Sequence, residues 1–161
     1  MPSLTFDKEM FEQIKRVLDA VEQILPKPVP EIDWSVTHAA NWRRRAGSGY
    51  LDPVPEIEQM QLDDLLGIDE QKRVVEQNTR QFIAGFPANN VLLWGTRGTG
   101  KSSLVRALLH SYSPQRLRVI QVDKDDLVYL PEIVDHIKRQ PYRFILFSDD
   151  VSFETDRKSV V

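Results

Sequence analysis

Apolar residues recur at steps of three and four from Phe6 through Met10, Ile14, Val17, Leu18, Val21 and Leu25. That spacing predicts a helix with one apolar side, ended by Pro26, which should dock on another surface. "PKPVPEIDW", Pro26 to Trp34, is a proline-stiffened connection, and the stretch through "NWRRRAGSGYLDPVPE" has no clear period. Residues 1–60 therefore read as a helical N-terminal appendage followed by an irregular segment, and residues 61–161 as the globular part.

The pattern changes at Leu62. "LDDLLGIDEQKRVVEQNTRQFIAG" holds a Gly-containing turn, Asp69 as an N-cap, and Val74, Val75, Phe82 and Ile83 spaced for one buried helical face before Gly85. Beyond it, strand and helix signals alternate. Val91–Trp94 is a short apolar run and Ser102–Tyr112 has a helical period. Leu117–Val122 reads as a strand, Pro131–Lys138 as a helix, and Phe144–Phe147 as a strand buried on both faces. Alternation of this kind predicts an α/β fold, a parallel sheet with helices on both faces, of which three strands are present.

Composition narrows the classes without choosing among them. At 161 residues, 41% hydrophobic and 28% charged, the chain is about one domain of ordinary globular make-up, not disordered, collagenous or membrane-embedded. A net charge of -3, from 21 basic and 24 acidic residues, gives no global attraction to nucleic acid or an anionic membrane. Cysteine is absent, which removes disulfides, thiolate metal sites and cysteine nucleophiles. Asp7, Glu9 and Glu12 stand where a signal peptide needs a basic start, and no run approaches a membrane span, so the expected location is the cytoplasm.

Chemistry concentrates at Gly95-Thr96-Arg97-Gly98-Thr99-Gly100-Lys101-Ser102, which satisfies the phosphate-loop pattern G-x-x-x-x-G-K-[ST]. A loop wrapping a polyphosphate must turn backbone N–H groups inward, and glycine tolerates the dihedrals and close approach this needs. The helix that follows aims its unsatisfied N–H groups and positive dipole end at the same phosphates, with Ser103 lending its N–H. Lys101 is expected to reach the β and γ phosphates and the Ser102 hydroxyl to ligate Mg²⁺. Its plain alternative, a glycine-rich turn with a solvated lysine, is disfavoured by the apolar run before the loop and the amphipathic helix after it. Arg97 occupies a variable loop position and reads as a surface residue.

"FILFSDDVSFE", Phe144 to Glu154, is an apolar strand ending in two carboxylates. Acids at a buried strand end suggest a site at the carboxyl edge of the sheet, where the loop also lies. In phosphate-loop ATPases the first acid holds Mg²⁺ and the second polarises water, which gives Asp149 the metal role and Asp150 the role of base. Glu154 is a reserve candidate. "VDKDD", Val122 to Asp126, resembles a guanine-selecting signature but precedes Asp149 instead of following it, so a GTPase reading fails on order.

Together, the phosphate loop, the aspartate pair and "LDDLLGIDEQKRVVEQNTRQFIAG" resemble the AAA+ ATPases. In more detail, "LLGIDEQK", "PANNVLLWGTRGTGKSSLVRALL", "VDKDDL" and "FILFSDDVSFE" resemble a bacterial AAA+ family known as domain of unknown function 815, from about Trp42 to Glu154. The resemblance implies an AAA+ type P-loop NTPase fold, with residues 61–161 as the first part of its ATP-binding domain. It also implies Leu66, Gly67 and Ile68 against adenine, the loop residues Gly95, Thr96, Gly98, Thr99 and Gly100 around the phosphates, and ATP with Mg²⁺ as ligands. The family pattern continues past Glu154 through further strands, a sensor and a lid, so the fold is expected to be incomplete at the C-terminus and hydrolysis weak.

The expected function is Mg-dependent ATP hydrolysis that remodels or switches an unknown protein partner, in a chain prone to homo-oligomerise. Two rivals are a non-hydrolysing nucleotide-sensing or oligomerisation module, favoured by Asp150 where many relatives carry glutamate, and a small-molecule phosphotransferase. "NWRRR", Asn41 to Arg45, is the one basic cluster. A nucleic-acid role there is weighed and not favoured; Trp42 is read as an anchor and the arginines as partners of nearby acids. His38, His110 and His136 lack the spacing of a zinc site.

Overall fold

The computed structural model describes residues 8–24, 31–45, 47–56, 59–96 and 98–149. Contacts divide the chain into two units, Met1–Glu31 and Ile32–Val161. The first contributes helix α1, Lys8–Ile24. The apolar side predicted by its spacing is present but open, with Val17 62% and Leu18 58% exposed.

In the second unit, β1 (Ala39–Arg45), β2 (Ser48–Pro53), β3 (Leu117–Gln121) and β4 (Arg143–Phe147) form one sheet in the order β2-β1-β3-β4. β1 runs parallel to β3, and β3 parallel to β4, while β1 and β2 form an antiparallel hairpin. The sheet is thus mixed and four-stranded, a correction to the all-parallel, three-stranded expectation. The hairpin comes from the segment read as irregular. Its signal is short: Ala40 and Trp42 are the two inward, fully buried side chains of β1 before three exposed arginines. Trp42 also dictates a glycine across the hairpin, because a Cβ on Gly49 would lie 1.8 Å from the indole.

Alternation along β3 and β4 sorts the core onto two faces. Leu117, Val119, Ile145 and Phe147 meet helix α3 (Lys101–Tyr112), and Leu117 and Ile145 also share a cluster with Val75 of helix α2 (Asp69–Ile83). Ile120, Phe144 and Leu146 meet Ile133 and Ile137 of helix α4 (Leu130–Ile137), together with Trp34, Trp42 and Leu51. Helices therefore cover both faces, as the alternation of elements predicts. The Tyr112 hydroxyl donates to Glu76 Oε1 at 2.5 Å and ties α3 to α2. Burial, with the carboxylate second, pushes this phenol up to about 12.

Three local expectations need correction. Ile68, not Asp69, holds the cap position of α2, and the helix buries Val75 and Thr79 while Val74 is 50% exposed. Val75, Phe82 and Ile83 pack inward as expected, so Val74 alone departs from the predicted face. Phe144–Phe147 is half-buried, because β4 lies at the sheet's edge. Val91–Trp94 is not a strand: no strand lies beside it among the described residues, and only Leu93 packs inward while Trp94 is 88% exposed. An apolar run becomes a strand only when its N–H and C=O groups find a neighbouring strand.

Candidate functional site

Two chain segments meet at the carboxyl ends of the parallel strands. Residues after β4 bring Asp149 to the sheet edge, and α3 begins there with Lys101. The Ser102 hydroxyl donates to Asp149 Oδ2 at 2.6 Å across 47 residues of sequence. The sequence-predicted loop and first acid are thus in contact. Asp150, the predicted base, and Glu154 and Arg97 lie outside the described residues.

The loop before α3 is shaped by positive φ angles at Gly95 (146°), Gly98 (84°) and Gly100 (83°). At Gly98 a Cβ would meet nothing within 4 Å, so the backbone conformation, not space, selects glycine there. Thr99 Oγ1 donates to the Thr96 carbonyl at 2.9 Å and closes the turn. Lys101 Nζ donates to the carbonyls of Gly95 (3.1 Å) and Thr96 (2.9 Å), folding the lysine back over its own loop. The first bond of α3 runs from Leu104 N–H to the Gly100 carbonyl, and Gly100 has no side chain to cap the N–H groups of Lys101, Ser102 and Ser103. A row of donors, a lysine and a positive dipole end therefore share one small region, suited to an anion.

The turn before α2 is brought partly into this region. A Cβ on Gly100 would sit 3.9 Å from Ile68 Cδ1, so Ile68 borders the loop. Gly67 takes a positive φ of 76°, and Leu66 is 87% exposed. Sequence reasoning missed two supports. Asn78 on α2 clamps Asn89 in both directions, its Nδ2 donating to the Asn89 carbonyl (2.8 Å) and its Oδ1 accepting the Asn89 N–H (2.9 Å). Lys72 Nζ donates to the carbonyls of Leu62 (3.2 Å) and Leu65 (2.9 Å) while it pairs with Asp69 (3.0 Å). Neither residue stands out by spacing, since each looks like the polar face of an amphipathic helix.

The sequence pattern of the family described as Protein of unknown function (DUF815) matches residues 35–160. The chain belongs to this family. No curated protein and no solved structure matches it. The DUF815 match takes in the β1–β2 hairpin, the glycine loop and Asp149 together.

Outside the loop region, the other weighed residues of this DUF815 chain are placed as follows. Trp42 is 1% exposed and packs edge-on to His136 at 5.6 Å, so it anchors the hairpin and is closed to a nucleic-acid base. Arg43 lies 3.7 Å from Asp123, and Arg44 covers the Tyr129 ring at 4.1 Å. No cluster of three metal-ligating side chains occurs among the described residues. Among them, too, no helix is long and apolar enough to cross a membrane.

Proposed function

We propose that this chain binds ATP with Mg²⁺ at the glycine loop, as the nucleotide-gripping part of an AAA+ type P-loop ATPase. The observation that carries the reading is the 2.6 Å bond between Ser102 and Asp149, two residues whose shared chemistry would be a hard cation beside phosphate oxygens. The donor set fits: a hydroxyl and a carboxylate oxygen side by side, with a lysine and the N–H groups of the first turn of α3 next to them. Mg²⁺, when bound, supplies charge that offsets the phosphates.

The chain's own residues divide the remaining work. Lys101 exchanges the carbonyls of Gly95 and Thr96 for phosphate oxygens, and the N–H groups of residues 101–103 orient the same group. Ser102 and Asp149 hold the cation, Ile68 and Gly67 border the base with Leu66 as the outer wall, and Asp150 takes the proton of the attacking water. Hydrolysis would switch or remodel a protein partner, in a cytoplasmic assembly of several copies. Aspartate at position 150, one methylene shorter than glutamate, favours a second reading, a nucleotide sensor that binds without turnover.

Thermal unfolding with and without Mg·ATP tests the binding claim. At about one hundred times its dissociation constant the ligand should stabilise the wild type by about 2.7 kcal/mol, and Lys101→Ala should lose most of that gain. Equal shifts in the two proteins would sink the proposal. Phosphate release then separates ATPase from sensor.

A further inference from the structure

The opposite edge of the sheet holds a second polar depression that the nucleotide reading does not use. It has a volume of about 320 Å³ and is lined by Ser35, His38, Ser113, Arg116, Arg118 and Tyr142, among others. Arg116 immediately precedes β3, Tyr142 immediately precedes β4 and His38 precedes β1, so the depression lies at the amino ends of all three parallel strands. The glycine loop and Asp149 lie at their carboxyl ends. These are two separate places.

Its charge is set by Arg118, which is 3% exposed. Nε and Nη2 donate to the Trp34 carbonyl at 2.9 and 2.7 Å, and Nη1 donates to the carbonyls of Ser113 (3.0 Å) and Leu117 (2.7 Å). The guanidinium lies 4.3 Å from the centre of the Tyr142 ring. Neutral carbonyls accept these four bonds but leave its full charge in place. Arg116 adds a second, exposed guanidinium, and no ion pair engages it among the described residues. Its backbone sits in the left-handed region at φ 70°, unusual for a residue other than glycine. The lining contains no carboxylate. Asp33, which accepts the N–H and hydroxyl of Ser35 at 2.9 and 2.6 Å, sets one negative charge beside the lining against its two guanidinium groups. His38 responds to this surplus: burial first, then the charge of Arg118, holds its pKa below the ordinary histidine value.

We propose that this depression binds a small oxyanion carrying two or more negative charges, a phosphate ester or a polycarboxylate. Arg116 forms the outer clamp, Arg118 the fixed charge at the floor, and the Tyr142 and Ser113 hydroxyls the neutral donors. Guanidinium groups suit both ligand chemistries, because their paired N–H groups match two oxygens of one anion. The volume falls at the small end of ordinary ligand pockets, which limits the ligand to metabolite size.

The chain has three histidines, so the ring signals of His38 are assigned by their loss in His38→Gln and serve as a local reporter in a proton NMR titration. Glycerol phosphate and citrate are the probes, each titrated to tens of millimolar at constant pH and ionic strength. The expected result is a saturable shift of the His38 signals with one or both probes, retained in Lys101→Ala. Arg116→Asn, chosen because asparagine tolerates the left-handed region, should weaken that affinity about tenfold or more. Saturation by glycerol phosphate alone assigns the phosphate ester, and by citrate alone the polycarboxylate. The proposal is overturned if neither probe gives a saturable shift. It is equally overturned if Arg116→Asn leaves the affinity unchanged, or if Lys101→Ala abolishes the shift and so places binding at the loop. An unchanged melting temperature for Arg116→Asn shows that its loss is not one of folding. Loss of Mg·ATP stabilisation with this shift intact, or the reverse, tells the two proposals apart.

Discussion

The two edges of the sheet solve the problem of polar groups in opposite ways. At the amino edge one buried side chain, Arg118, donates to three carbonyls, the nearby Ser113 and Leu117 and, 84 residues away, Trp34. At the carboxyl edge most bonds stay inside the loop: Thr99 and Lys101 both donate to the Thr96 carbonyl, and Lys101 also to that of Gly95. The bond from Ser102 to Asp149 reaches across. Apolar packing is thin on the approach to the loop itself, where Leu92 is 66% exposed, whereas Leu117 at the start of β3 is 0% exposed. The amino edge is tied across the core by Arg118 and Trp34; the carboxyl edge can rearrange around a ligand by exchanging local bonds for new ones.

The largest effect that could break this contrast belongs to Arg118. Arg118→Met keeps the volume but takes from the Trp34 carbonyl both donors that Arg118 supplies, and should cost about 3 kcal/mol by urea denaturation. Leu92→Ala, an apolar truncation on the exposed approach to the loop, should stay within about 0.5 kcal/mol of wild type. Comparable losses from the two would show that the carboxyl edge is packed as firmly as the amino edge.

Legibility divided along the same line. The glycine loop, the helix after it and the acid of "FSDD" could be read because each residue type answers one ligand, and a ligand imposes spacing. Strands β3 and β4 could be read because Leu117, Val119, Ile120 and Phe144–Phe147 are apolar on both faces of a layered sheet. The hairpin β1–β2 could not, since its inward positions reduce to Ala40, Trp42 and Leu51 among arginines and a proline. Arg118 was also hidden, in "LRVIQ", because a charged residue on a strand reads as solvent-facing until the carbonyls around it are known. In the opposite direction, "VLLW" read as a strand on apolarity alone, and pairing decides that question.

At the carboxyl edge the cross-chain bond can be removed directly. Ser102→Ala deletes the hydroxyl that donates to Asp149 and should lower stability without ligand by about 0.5–1.5 kcal/mol, measured by thermal unfolding. Because this bond spans the edge, a loss as large as that of Arg118→Met would mean that the loop depends on the strand end for its fold. A loss in the expected range keeps the loop as a locally bonded element whose partner at Asp149 can be exchanged.

The smallest effect reads the charge of the amino edge through His38. Its folded pKa lies below 6.5, through burial first and the charge of Arg118 second. Well above pH 6.5 the imidazole is neutral in both states and contributes no pH dependence. As pH falls below 6.5 the unfolded chain takes up a proton that the folded chain resists, so stability declines until the folded pKa is passed and then levels off. For one group the slope cannot exceed about 1.4 kcal/mol per pH unit. The difference in unfolding free energy between wild type and His38→Gln, followed downward from pH 7, should therefore shrink or reverse in that window. Parallel curves would mean that the positive charge of Arg118 does not reach His38, and the amino edge would then be as open electrostatically as the loop at the other end.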